Sequence, residues 1–306
     1  MKILITGATG FVGTALSKKL LSEGHTLHIL TRSSEHLPEV FKDSRVQAFT
    51  WADTSTPPPL ASIEGINGVI NLMGENIAAK RWSDEQKKKL HTSRVESTKN
   101  LTALLNDHLK SPLDFFVSAS AVGIYPVNLP TVLTEESAAG KNFLAELCKD
   151  WEAAAYTLTK VKRIVIIRTA VVLESHGGAL AKMLPPFKLG LGGPIGDGKH
   201  FMSWVHLNDL VNLYAKAVTD TNVVGVYNGS APHPVDNFTF TKALGSALHK
   251  PTLIPVPAIG LKIAFGEMSS VILDSQKVVS KKLPEVQFEF QYETITSAMN
   301  AIFKKN

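Results

Sequence analysis

Lys2-Ile3-Leu4-Ile5-Thr6-Gly7-Ala8-Thr9-Gly10-Phe11-Val12-Gly13 is the stretch that decides the fold. An apolar strand runs straight into three glycines at three-residue spacing, and a helical pattern at Ala15, Leu16, Leu20 and Leu21 follows. The spacing predicts a dinucleotide phosphate cradle: Gly7 for the tight turn, Gly10 for close approach of the backbone to a pyrophosphate, Gly13 for close packing of helix on strand. Thr9, Phe11 and Val12 belong to the same turn, and the pyrophosphate would sit at the positive N-terminus of the helix. A glycine triplet alone also fits an ordinary strand-turn-helix; the strand before it and the helix after it make the motif specific.

Working outward, strand-like runs at Lys2 to Ile5, Thr26 to Leu30, Val46 to Phe49, Gly68 to Leu72, Asp114 to Val117 and Arg163 to Arg168 alternate with helical patterns. That alternation predicts an α/β, Rossmann-like doubly wound parallel sheet. Helices are expected over Gly13 to Ser22, Ser83 to Leu109 and Ala139 to Leu158, with Leu90, Val95, Leu101 and Leu105 of the second facing inward. After Leu173 glycines punctuate the chain, predicting a glycine-rich loop over about 175–200 that borders a substrate. From Asn228 onward, Pro232, Pro234, Pro251, Pro255 and Pro257 with a helical run at Phe240 to Leu248 suggest a smaller lobe. The expected division is a nucleotide-binding domain over 1–227 and a C-terminal substrate lobe over 228–306.

The 306 residues, 44% hydrophobic and 19% charged, fit a soluble globular protein. The net charge of +5 is spread along the chain, and its densest cluster, Lys87-Lys88-Lys89, lies on a polar helix, which argues for a solvated face over a nucleic-acid patch. The single cysteine, Cys148, excludes an internal disulfide and fits a reducing compartment. The first strand begins at residue 2, leaving no room for a signal peptide, and no apolar run approaches the about 18 residues of a membrane span. A cytoplasmic monomer or homodimer without nucleic-acid or membrane partners is expected. No cluster of residues has metal-ligand spacing, and no nucleophile elbow is present.

The second strand ends Leu30-Thr31-Arg32-Ser33-Ser34, where an NAD enzyme would carry an acidic residue for the ribose hydroxyls. Arg32 stands there instead. A guanidinium can pair with a 2′-phosphate, so NADP(H) is the expected cofactor. A surface arginine ending a strand is the plainer alternative.

Together with the opening motif, Ile70-Asn71-Leu72-Met73-Gly74-Glu75-Asn76-Ile77 and Val117-Ser118-Ala119-Ser120-Ala121-Val122-Gly123-Ile124-Tyr125 resemble the extended short-chain dehydrogenase/reductase superfamily. Asn76 to Trp82, Asp150 to Ala154, Gly192 to Gly198, Met202 to His206, Asn228 to Pro232 and Phe265 to Met268 narrow the resemblance to its atypical "epimerase family protein" group. The resemblance implies an NADP-binding domain with a smaller substrate lobe, of the kind used by nucleotide-sugar epimerases and dehydratases. It implies that Leu72, Met73 and Gly74 pass beneath the cofactor, that Ser118 to Ser120 run beside the nicotinamide, and that Arg168 and Thr169 approach it.

The same resemblance exposes a break. The superfamily uses a tyrosine whose phenol is acidified by a lysine four residues later. Aligning Glu152 on the family's helix glutamate puts Leu144 and Cys148 at those positions, and Arg94 replaces an asparagine that supports the proton relay. Tyr156 and Lys160 have the spacing but lie too late on the helix. Ser120 matches the active-site serine and would hydrogen-bond a substrate oxygen. Tyr125, at the C-terminal end of a sheet strand, is the candidate replacement acid, or else a packed loop tyrosine. Lys80 and Arg81, with Glu75 close by, could form a cationic wall for an anionic or carbonyl-bearing substrate, or else solvated surface. Lys199 and His200 are further candidates, and Trp204 is expected in the pocket. His206 and Asp209 read as structural hydrogen-bonding residues, Trp151 as core or pocket wall, and Cys148 as an inert buried thiol.

Two functions follow. One is an NADP(H)-dependent oxidoreductase or epimerase-like enzyme acting on a carbonyl, alcohol or nucleotide-sugar-like substrate. The other is a catalytically silent NADPH sensor or scaffold, favoured by loss of the tyrosine and lysine. A substrate-sized pocket beside the nicotinamide would favour the enzyme.

Overall fold

A computed structural model describes residues 1–35 and 37–304. Its centre is a seven-stranded sheet of β1 (Lys2–Thr6), β2 (Thr26–Thr31), β3 (Val46–Thr50), β4 (Gly68–Asn71), β5 (Phe115–Ala121), β6 (Ile164–Thr169) and β7 (Gly225–Gly229). The order is β7-β6-β5-β4-β1-β2-β3, and every neighbouring pair is parallel. The connections reverse direction between β1 and β4, which opens a crevice at the C-terminal strand ends.

Side-chain alternation explains how each strand is buried on two faces. Ile3 and Ile5 of β1 face one core with Leu16 and Leu20 of α1 (Phe11–Ser22) and Leu210 and Leu213 of α6 (Leu207–Thr219). Leu4 points the other way, against Val69, Phe116 and Leu101, Leu104 and Leu105 of α3 (Ser97–His108). Each such side chain contributes about 1.5–3 kcal/mol by leaving water.

The expected helix over Ser83 to Leu109 is interrupted. Ser83 caps α2 (Asp84–His91) by accepting from the Gln86 N–H, a single π turn covers Thr92–Glu96, and α3 then continues. Helix α4 (Phe143–Ala155) starts at Asn142, whose side chain accepts from the Ala145 N–H.

The 175–200 stretch is only partly loop, because Gly178–Lys188 forms helix α5. Its Leu180, Leu184 and Phe187 join Leu173, Trp204, Phe240, Leu244, Ile295, Ala298 and Met299 in one apolar cluster. Two further helices, α7 (Asn237–Leu248) and α10 (Ile295–Phe303), supply its later members. The smaller lobe therefore draws its core from chain on both sides of residue 228.

Candidate cofactor and substrate cleft

The glycine turn takes the expected form. Gly7 has φ +67°, and a Cβ there would lie 2.8 Å from the Leu72 carbonyl oxygen; a Cβ on Gly13 would lie 2.2 Å from the Gly7 carbonyl oxygen. Gly10 is the N-cap of α1, donates its N–H to the Gly7 carbonyl at 3.0 Å, and offers no side-chain cap. No acidic residue occupies the first turn. The leading N–H groups of α1 therefore lack a side-chain acceptor, a geometry that suits a phosphate oxygen. Thr9 is exposed beside them. A dinucleotide pyrophosphate fits this cradle on the chain's own terms, since side chains on Gly7 or Gly13 would collide with the backbone that shapes the turn.

Thr6 Oγ1 fastens the neighbouring turn. It donates to Asn71 Oδ1 at 2.6 Å and accepts from the Leu72 and Met73 N–H groups, each at 3.2 Å. Asn71 Nδ2 donates to Thr98 Oγ1 at 2.9 Å and Ser118 Oγ at 3.3 Å. Ser118 is consequently buried in a locking network, and its side chain does not line the cleft. Strand register places Leu30 beside Thr6, so Arg32 emerges next to the glycine turn. Arg32 is exposed and makes no ion pair or side-chain hydrogen bond among the described residues.

From the cradle a cleft of about 520 Å³ runs past Phe11, Val12 and Leu72 to Ala119, Ser120 and Ala121 at the end of β5. One wall is the face of α4 carrying Leu144, Leu147, Cys148 and Trp151, with Arg94 beside Trp151. Thr169 and, from the smaller lobe, Ser270, Asp274 and Gln276 complete it. The glycines at 177 and 178 serve this site, because a Cβ on Gly177 would lie 2.3 Å from the Phe11 ring.

Ser120 Oγ donates to Glu152 Oε1 at 2.6 Å. Glu152 is held by a two-pronged pair with Arg168, Nε to Oε1 and Nη2 to Oε2, both at 2.8 Å. Arg168 Nη1 donates to Tyr125 Oη at 2.8 Å, and Tyr125 donates in turn to Asn228 Oδ1 at 2.8 Å. Burial pushes the Tyr125 phenol above its usual range. The Cys148 thiol is pushed up to about 11, chiefly by burial and then by the Glu152 carboxylate. It is therefore protonated at neutral pH.

These contacts correct several expectations. Tyr125 is wholly buried and its hydroxyl is saturated by Arg168 and Asn228, so it is a structural residue and not an acid at the cleft. Arg168 does not line the cleft and holds Glu152 instead, while Thr169, of opposite strand parity, lines it. Trp204 is in the core of the smaller lobe, its indole N–H donating to the His233 carbonyl at 3.0 Å. Lys80 and Arg81 are exposed and do not line the cleft, nor does Glu75; the cations that do are Arg94 and Lys182. Met73 packs on the second core, and Gly74 gives room to Arg94, whose Cζ would lie 2.9 Å from a Cβ there. Lys199 and His200 also lie outside the cleft lining. His206 caps α6 by accepting from the Asn208 N–H, and Asp209 accepts from the Gln291 and Tyr292 N–H groups, so both secure the C-terminal segment.

No helix among the described residues is long and apolar enough to cross a membrane. The profile of the NAD dependent epimerase/dehydratase family matches residues 3–228, and a domain of unknown function (DUF1731) matches 256–302. The chain is 39% identical, over 99% of its length and 87% of the relative's, to the Arabidopsis thaliana "Epimerase family protein SDR39U1 homolog, chloroplastic". It is 34% identical, over 99% of both chains, to mouse "Epimerase family protein SDR39U1". The crystal structure of human epimerase family protein SDR39U1 (isoform2) with NADPH superposes with a TM-score of 0.87 at 30% identity, covering 100% of both chains. Glycine cradle, sheet order and matched length together show that the chain belongs to the NAD dependent epimerase/dehydratase family.

Proposed function

We propose that the chain binds NADP(H) and interconverts a carbonyl and an alcohol in the cleft beyond the glycine turn. The observation that carries this reading is the continuity of that cleft, from the cradle at Phe11 and Val12 to the Ser120 hydroxyl and the α4 wall. The human relative crystallised with NADPH supports the cofactor, and the exposed Arg32 beside the turn, without an ion pair among the described residues, supports the phosphorylated form.

The N–H groups opening α1 would hold the pyrophosphate, and Arg32 would meet the 2′-phosphate. When bound, the nicotinamide supplies or accepts a hydride. The chain then has to orient the substrate oxygen and manage one proton. Ser120 Oγ, fixed by its bond to Glu152, presents its lone pairs to the cleft and suits a substrate hydroxyl; rotated, it donates to a carbonyl. In the reducing direction the protonated Cys148 thiol beside Ser120 is the cleft's own acidic hydrogen, since an alkoxide is the stronger base. Leu144 and Leu147 keep the wall apolar and limit water.

The silent-sensor reading draws on one observation: Leu144 and a neutral thiol occupy the wall where a phenol and an ammonium would stand. A screen of carbonyl compounds and nucleotide sugars for NADPH consumption separates the two. Turnover that falls at least about tenfold in Ser120→Ala, while Tyr125→Phe changes stability more than rate, supports the enzyme. Tight NADPH binding without turnover of any compound supports the sensor.

A further inference from the structure

The cleft contains one deep cation that neither the cradle nor Ser120 requires. Arg94 sits in the π turn at Thr92–Glu96 between α2 and α3. Such turns commonly mark functional positions, and this one interrupts an otherwise continuous helix at the residue that faces the cleft. The guanidinium donates from Nη1 to the Leu90 carbonyl at 3.3 Å and from Nη2 to the Glu75 carbonyl at 2.9 Å. Its Cζ lies 5.2 Å from the centre of the Trp151 ring.

What Arg94 lacks is a carboxylate. It makes no ion pair among the described residues; Glu75 accepts from it through the backbone carbonyl, its carboxylate acts on it only through space, and the Cys148 thiol is neutral at pH 7. Burial disfavours its charge. A buried guanidinium with no carboxylate in contact, in a cleft also lined by Ile77, Leu147 and Trp151, is costly to keep unless an anion arrives to pair with it. Two backbone carbonyls consume part of its donor set and leave a planar edge, which matches a carboxylate.

We propose that Arg94 is the specificity-determining residue for a carboxylate on the substrate, whose remainder is apolar and lies along the α4 wall. The proposal rests on the oxidoreductase reading of the cleft and deepens it: the substrate class becomes an oxo or hydroxy acid with an apolar body. The Trp151 ring lies beside the guanidinium, and Gly74 leaves the space it occupies.

The test uses the protein loaded with NADP⁺, so that binding is read without turnover. Monocarboxylates from propionate to phenylglyoxylate, and their neutral methyl esters, are titrated calorimetrically against wild type, Arg94→Gln and Arg94→Lys, with NADPH affinity measured in parallel. The expected result is that at least one acid binds wild type about 10- to 100-fold more tightly than its ester. Arg94→Gln abolishes that difference, Arg94→Lys restores part of it, and NADPH affinity stays within about twofold. Equal binding of acid and ester, or no acid bound by wild type, overturns the proposal. A parallel loss of NADPH affinity in both variants overturns it too, because Arg94 would then be a cofactor contact. Carboxylate binding without any turnover would refute only the oxidoreductase reading. Melting curves identify a variant that fails to fold, and Arg94→Lys then carries the comparison.

Discussion

The two ends of the cleft are built by different means. At the glycine turn the working groups are backbone N–H donors, and the side chains are required chiefly to be absent: Gly7 and Gly13 have no room for a Cβ. At the β5 and α4 end the working groups are side chains whose directions depend on partners far away in sequence. Ser120 answers to Glu152, Glu152 to Arg168, and Arg168 to Tyr125 and Asn228. A backbone site is preserved by three glycines and a strand. A side-chain site can be rebuilt one residue at a time on the same scaffold, which is how Leu144 and Cys148 come to face a cleft next to an unaltered cradle.

The comparison can be broken most forcefully at the buried pair. Arg168→Met leaves the Glu152 carboxylate, about one-tenth exposed at 10%, without its charge partner. The expected loss is about 3–5 kcal/mol in chemical denaturation. A loss below about 1 kcal/mol would mean that the Ser120 wall is not held by this network.

Next in size is the cradle. Gly13→Ala would drive a methyl group into the Gly7 and Ala8 carbonyls. Because the obstruction is backbone, a cost near the upper end of about 1–3 kcal/mol is expected, together with at least a tenfold loss of NADPH affinity by titration. Unchanged affinity would show that the turn tolerates a side chain and is not the phosphate site.

A smaller effect sharpens the description of the wall. The Cys148 thiol titrates near 11 in the fold, above its ordinary value of 9.0. The folded state therefore binds more protons than the unfolded chain between those values, so stability falls as pH rises from about 9 to about 11 and is complete below about 9. The loss across that window is about 2–3 kcal/mol, and Cys148→Ala should remove that part of the slope. Identical slopes in the two proteins would indicate a thiol in contact with water.

How much could be read beforehand follows the same division. Six of the seven central strands are readable as strand-like runs: the inner parallel strands, buried on both faces, must be apolar throughout, while Val46–Thr50 at the edge is only partly buried. The seventh, Gly225–Gly229, carries a glycine at each end and a buried asparagine, so it lacks that signature. The π turn left no mark in the periodicity of Ser83 to Leu109, since Leu90 before it, Val95 within it and Leu101 after it are all buried. Tyr125 misled because a tyrosine after a strand end reads as a pocket residue. The short 3-10 turn at Val122–Ile124 instead leads to a ring buried under Arg168, with Asn228 more than one hundred residues away as partner. Lys80 and Arg81 are conspicuous in sequence and exposed in space. In the sequence Arg94 stands out as a departure from the superfamily's asparagine, and a charged residue within the inward-facing stretch of a helix is the signal that points to the cleft.

The central claim, an intact phosphorylated-cofactor cradle beside a rebuilt catalytic wall, is tested most directly by calorimetric titration of NADPH and NADH against wild type and Arg32→Ala. Wild type is expected to prefer NADPH by about 10- to 100-fold, and Arg32→Ala to erase the preference while leaving NADH affinity unchanged. Equal weakening of both cofactors in the variant, or binding of neither by wild type, would contradict it.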